Sequence, residues 1–370
     1  MTGSTTRNAE GVALGPAREH LWSAVHTGDE PRATAVVLDA VAATGDAETV
    51  LLDLIAPVQE RVGVEWAANR LTVAQEHTAT AIHDRVIAVL AHHTRPRPDA
   101  ARSGRIAVAC VDGEWHALPA RLLAETLRLR GWRVDFLGAH VPTPHLIAHL
   151  HQTGPDAVAL SSSLPTHLPA AHTAITACQA AGVPVIAGGA AFGPDGRYAR
   201  ALGADAWAPD ARKAASVLAG GLDRPDPMAA HQAVDDLPHL ADQEYTIVVQ
   251  TAHRLVRTTL TALEDRFPPM RGYTEEQRRR TAEDLAHVVE FLGTSLYVDD
   301  AELFSGFILW TAGILAARQV PARSLDPALD LLAVQLKDFP RARRTLAHAR
   351  EALRTRRTPA ITIPGPGKPA

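Results

Sequence analysis

The chain has 370 residues, 46% of them hydrophobic, a formal net charge of −4 and two cysteines. This length suggests about two to three soluble domains, and so small a charge rules out nucleic-acid binding by bulk electrostatics. Cys110 and Cys178 lie in apolar segments, which excludes a disulfide framework; no apolar run nears the ~18 residues of a membrane helix; and the polar start up to Gly15 reads as no secretory signal, so a cytoplasmic protein away from the membrane is expected.

Residues 1–15 are polar and read as disordered. Residues 16–94 carry a helical pattern, with helices expected over 17–27, 31–44, 46–68 and 72–93. Gly28-Asp29, Thr44-Gly45-Asp46 and Asn69-Arg70 punctuate them, and Thr72 can cap the last. Their sum is a four-helix bundle. Arg95-Pro96-Arg97-Pro98 opens a stiff linker over 95–104. Residues 105–222 alternate strand and helix, with strands near 105–111, 132–137, 156–161, 183–187 and 205–208. Five such units predict a doubly wound parallel sheet, Rossmann-like and flavodoxin-like in size. A second linker spans 223–236. Residues 237–357 read as all-helical, with segments 242–266, 274–298, 300–318, 326–338 and 340–356, and 358–370 as a disordered tail. The fold class is therefore multidomain α and α/β.

The richest motif follows the first strand. Asp112-Gly113 turns the chain out of the apolar run 106–111, and Glu114-Trp115-His116 follows, just before a helix start at Leu118-Pro119-Ala120. Ligands in open α/β sheets sit at the carboxyl ends of strands. A histidine there can bind a metal through one ring nitrogen while a carboxylate holds the other. Ser162-x-Leu164 ends the third strand and Gly188-Gly189 ends the fourth. The set resembles the cobalamin-binding signature D-x-H-x-x-G, S-x-L, G-G. That resemblance implies a cobalt cofactor with His116 as lower metal ligand, Glu114 behind it, Trp115 beside it, and a slot for the nucleotide tail walled by Ser162, Leu164, Gly188 and Gly189. Glu114 stands where the family has aspartate, and Pro119 where it has the last glycine. The bland alternative is a surface-loop histidine, one of 18 in the chain.

Trp66 is followed ten residues later by Glu76-His77, across the break at Asn69-Arg70. The pair can face the tryptophan from a neighbouring helix. This arrangement resembles the cap of adenosylcobalamin photoreceptors of the CarH type, which implies that Trp66, Glu76 and His77 hold the upper adenosyl group. The family's histidine after the tryptophan is Ala67 here; His77 and His83 are the alternatives for that role. No helix-turn-helix segment is read ahead of the bundle, so direct DNA binding is not expected. The alternative is a packing tryptophan and a solvated polar pair.

The third domain is too short and too helical for the (β/α)8 barrel of cobalamin mutases. Phe291, Tyr297, Phe304, Phe307 and Trp310 cluster in sequence, with Arg257, Arg278-Arg279-Arg280 and His287 nearby. Aromatic walls and cations suit a tetrapyrrole with propionates. The domain order resembles the photocobilins, which implies a globin-like domain binding biliverdin or a related bilin. Here Arg280 would serve the propionates and His287 the pyrrole nitrogens. No cysteine follows Cys178, so such a bilin is noncovalent. The alternative is a helical dimerisation or docking module. The basic stretch over 341–357 reads as a solvated face.

The expectation is a light sensor and not an enzyme: a signal-transducing homo-oligomer acting on an unknown partner. The alternatives are a corrinoid protein of a methyltransferase system and a regulator that senses cobalamin without light.

Overall fold

The computed structural model describes residues 14–94, 104–225, 242–321 and 324–355. Residues 1–13 and 358–370, expected to be disordered, and most of both linkers lie outside them; Leu14 and Gly15, placed in the same expected stretch, are described, with Leu14 buried and Gly15 opening the first helix. The bundle forms as its punctuation dictates. Helix α1 (Gly15–Thr27) stops at Gly28, whose φ of 75° is left-handed. Helix α2 (Glu30–Thr44) is capped by the Asp29 side chain, which accepts from Arg32 N. The third helix starts at Ala47–Thr49, passes through a π-helical stretch at Val50–Ile55 and continues as Ala56–Ala67; together these are α3. Pro57 has no N–H to give to the Asp53 carbonyl, and Arg18 Nε donates to that carbonyl instead, at 2.7 Å. Helix α4 (Val73–His93) opens with a reciprocal Thr72–Gln75 capping box.

The sheet domain has strands β1 (Arg105–Cys110), β2 (Arg133–Gly138), β3 (Ala157–Ser161), β4 (Val185–Gly188) and β5 (Ala206–Ala208), all parallel, in the order β2-β1-β3-β4-β5. Its helices are α5 (Leu118–Leu129), α6 (Thr143–Thr153), α7 (Leu168–Ala180), α8 (Arg197–Ala201) and α9 (Ala211–Ala219). Side chains of β1 alternate between two cores. Ile106, Val108 and Cys110 pack with α5 and α9, whereas Ala107 and Ala109 pack with α6 and α7. The strand order reverses between β1 and β3, which opens a crevice at their carboxyl ends.

The remaining helices are α10 (Glu244–Gln250), α11 (Ala252–Arg266), α12 (Glu275–Val298), α13 (Ala301–Ala317), α14 (Leu325–Gln335) and α15 (Pro340–Thr355). This helical region shares one continuous core with the α6–α7 side of the sheet. Tyr198 donates to Asp300 Oδ2 at 2.7 Å, and His172 Nδ1 lies 2.6 Å from the Tyr297 hydroxyl. On the other side, the bundle core takes in Leu118 and Leu122 of α5. Ion pairs clasp bundle to sheet domain: Arg130 with the buried Glu48, and Arg212 with Asp53 and, at 3.6 Å, with Glu48 as well.

Candidate functional site

Glu114 organises the crevice. Its side chain is fully buried. Oε1 accepts from the backbone N–H of His116 at 2.8 Å and from His116 Nδ1 at 2.6 Å. Oε2 accepts from Ser163 N at 2.6 Å, Leu164 N at 3.1 Å and the Ser162 hydroxyl at 3.3 Å, with His167 Nδ1 at 3.4 Å. One carboxylate thus ties the loop after β1 to the loop after β3. Burial opposes its ionisation. The hydrogen bonds from His116 and His167 outweigh that and hold the carboxyl well below the usual carboxylate range. With Nδ1 turned to Glu114, Nε2 is the nitrogen through which His116 can ligate a metal. Among the described residues no group of three or more His, Cys, Asp and Glu is placed to hold a metal ion. A single oriented histidine nitrogen suits a metal whose other ligands come with it, as in a corrin.

Beside this hub lies a cleft of about 120 Å³, lined among others by Pro119, Ser161, Gly188, Gly189, Ala208 and Asp210. Gly189 has φ +99°, and a Cβ there would lie 2.2 Å from the Ser162 carbonyl oxygen, so only glycine fits. A Cβ on Gly188 would make ordinary contact with the Ala208 carbonyl at 3.5 Å. Pro119 sits in the first turn of α5, where a missing N–H costs nothing. The two serines at the end of β3 face different ways. Ser161 lines the cleft, while the Ser162 hydroxyl turns to Glu114, because successive side chains at a strand end point to opposite faces. Trp115 is 67% exposed and stacks on His140, with ring centroids 4.9 Å apart and 9° between planes. Sequence reasoning missed Ser163 and His167. Ser163 contributes a backbone N–H, which no side-chain motif encodes, and nothing in sequence singles His167 out from the other histidines.

In the cap, Glu76 is half-buried and His77 exposed, with His77 Nδ1 3.0 Å from Glu76 Oε2. His83 lies wholly inside the bundle, its Nδ1 2.6 Å from Gln59 Oε1. Trp66 reaches the third domain: its ring lies 6.4 Å from that of Trp310, and the Arg318 guanidinium sits 5.5 Å above it. Helix α12 packs against the turn Pro165–His167, so the helical region touches both the cap and the loop that Glu114 holds.

In the helical region, Phe291 and Phe307 stack on each other at 3.8 Å, 6° from parallel, and both are buried. Arg280 is exposed and pairs with Glu276; His287 lies 3.5 Å from Glu290. These two side chains lie on the outer side of α12, and the structure does not bring them together with the aromatic cluster.

Residues 104–218 match a family model described as a B12 binding domain, and residues 17–91 match a second model with the same description. The chain is a B12-binding protein. It is 34% identical to the HTH-type transcriptional repressor CarA of Myxococcus xanthus over 146 residues, 39% of this chain and 47% of that one. It is 33% identical to CarH, a repressor of the same type and organism, over 180 residues, 47% of this chain and 58% of that one. The B12-binding protein thus spans about half the length of these curated relatives. Among solved structures, the monomethylamine corrinoid protein of Methanosarcina barkeri aligns with TM-score 0.49 at 18% identity, over 55% of this chain and 98% of that one. A cobalamin-binding protein from Desulfitobacterium hafniense aligns with TM-score 0.30 at 22% identity, over 54% and 96%. The residues present fit the cofactor. His116 offers a single oriented nitrogen, Gly188 and Gly189 keep the cleft clear, and Gly63 in α3 leaves space where a Cβ would meet nothing within 4 Å.

Proposed function

We propose that this B12-binding protein is a light sensor that uses adenosylcobalamin. The observation that carries the reading is the Glu114 hub, which presents His116 at the crevice, combined with a cap whose Trp66 touches the third domain. His116 would hold cobalt from below, and Glu114, on its other nitrogen, raises the ring's basicity. Trp66, Glu76 and His77 would hold the upper group. When bound, adenosylcobalamin supplies a cobalt–carbon bond that visible light breaks. A conformational equilibrium shifts only as far as its two states differ in contact energy. The cap side chains supply that difference, and Trp66 passes it to Trp310 and Arg318. The output is a signalling partner met by a homo-oligomer. The third domain is read as a noncovalent bilin site, supported by the aromatic cluster from Phe291 to Trp310.

The test is the absorption spectrum of the full chain with adenosylcobalamin, and separately with biliverdin, before and after illumination. His116→Ala is expected to give a spectrum without nitrogen coordination and weaker cofactor retention. A spectrum unmoved by light with cofactor bound would leave the non-photic regulator. Acceptance of methyl groups in the dark from a partner enzyme would make the chain a corrinoid carrier. Biliverdin that keeps its buffer spectrum would remove the second pigment.

A further inference from the structure

Glu76 does not stand alone in the cap. Gln59, Gly63 and Trp66 share one face of α3, at positions i, i+4 and i+7, and Glu76, Thr80 and His83 share one face of α4 in the same way. The faces meet through hydrogen bonds. His83 Nδ1 lies 2.6 Å from Gln59 Oε1, which can only accept, so Nδ1 carries the hydrogen. Gln59 Nε2 donates to the Thr80 hydroxyl at 2.8 Å, and Thr80 donates to Glu76 Oε1 at 3.0 Å. Every hydrogen in this line points toward the Glu76 carboxylate. The other nitrogen of His83, Nε2, is buried and has no partner among the described residues. Burial lowers the His83 pKa to about 4, which keeps the ring neutral and the direction of the line fixed.

We propose that Gln59, Thr80 and His83 are positioning residues that aim the Glu76 carboxylate at the hydroxyls of a sugar-bearing upper ligand and so set the preference for adenosyl over methyl. A diol needs an ionised acceptor in a set orientation, and charge-assisted hydrogen bonds supply the strength. Gly63 leaves open space on the same face as Gln59 and Trp66. The proposal rests on the reading of the cap as the adenosyl face.

The experiment is spectral titration of the full chain with adenosylcobalamin and with methylcobalamin. Thr80→Val keeps the shape and cuts the line; it is expected to weaken adenosylcobalamin about tenfold and methylcobalamin less than about twofold, the loss of one charge-assisted bond. Thr80→Ser restores the hydroxyl and is expected to restore the preference. Equal weakening of both cofactors, or of neither, overturns the proposal. Glu76→Gln separates the two layers. If it too leaves the preference intact, the cap reading fails; if it abolishes the preference while Thr80→Val does not, only the donor line fails. Should Thr80→Val destabilise the fold, Gln59→Met cuts the same line from α3 and the same ratio decides.

Discussion

Glu114 accepts hydrogen bonds on both oxygens, from His116 on one and from Ser163 and Leu164 on the other. An amide in its place must turn its NH2 toward one of those donor sets, whichever way it flips. Glu114→Gln is therefore expected to cost about 3 kcal/mol, the range for a buried charge network broken on one side. Urea unfolding of the cofactor-free protein measures this. The pH sign follows from the depressed carboxyl. Its contribution is complete above the unfolded value of about 4.3 and is lost as pH falls from there toward the folded value. The gap between wild type and Glu114→Gln is thus expected to narrow below about pH 4. The two glycines separate as well. Gly189→Ala forces a Cβ onto the Ser162 carbonyl and is expected to lower the melting temperature by several degrees, roughly 2 kcal/mol or more. Gly188→Ala is expected to fold and to weaken cobalamin, because its methyl enters the cleft. The Glu114–His116 bond and the place of the glycines at the end of β4 were legible because a turn, a strand end and a carboxylate spacing mark them. The split of roles between Ser161 and Ser162 was not, since it depends on which face of β3 each side chain leaves from.

Helix α3 shows how far local pattern reaches. Its extent was legible from the breaks on either side of 46–68, while Pro57 lies inside it. The response to Pro57 was not legible: a π-helical stretch at Val50–Ile55, with Arg18 donating to the freed carbonyl from another helix. The same end of α3 carries Glu48 and Asp53, the bundle's halves of both clasps to the sheet domain. Glu48 is buried, and Arg130→Ala leaves it only the longer contact to Arg212 Nε at 3.6 Å, so the variant is expected to cost about 2–3 kcal/mol, read by chemical denaturation. Arg212–Asp53 is more exposed, and Arg212→Ala is expected to cost about 1 kcal/mol or less. One turn before the end of α3, Gly63→Ala is expected to stabilise the cofactor-free protein by about 0.5–1 kcal/mol, because helix propensity rises and the methyl meets nothing. If the space is the upper-ligand recess, the same variant loses adenosylcobalamin affinity while it gains stability.

The succession of helical cap, parallel sheet and helical region, and nearly every helix in it, were legible in the chain, because each follows from periodicity and breaks. How the domains meet was not. Trp66–Trp310, His172–Tyr297 and Tyr198–Asp300 join residues far apart in sequence, and no local pattern encodes such a pair. The contact of Trp66 with α13 predicts a readout for the whole molecule. Hydrogen exchange across Ala301–Ala317 in the cobalamin-loaded chain is expected to change on illumination, and Trp310→Ala to remove that change while leaving the cofactor spectrum intact. Trp310 and Arg318 have a further consequence, which concerns birth order. A ribosome adds ~5–20 residues per second and releases the amino end first. Bundle and sheet therefore emerge, and can meet cobalamin, while the helices that will lean on Trp66 are still unmade. Cofactor present during cell-free synthesis is then expected to load faster than cofactor offered to the finished chain, and equal rates would mean that the late-born helices leave the entrance unobstructed.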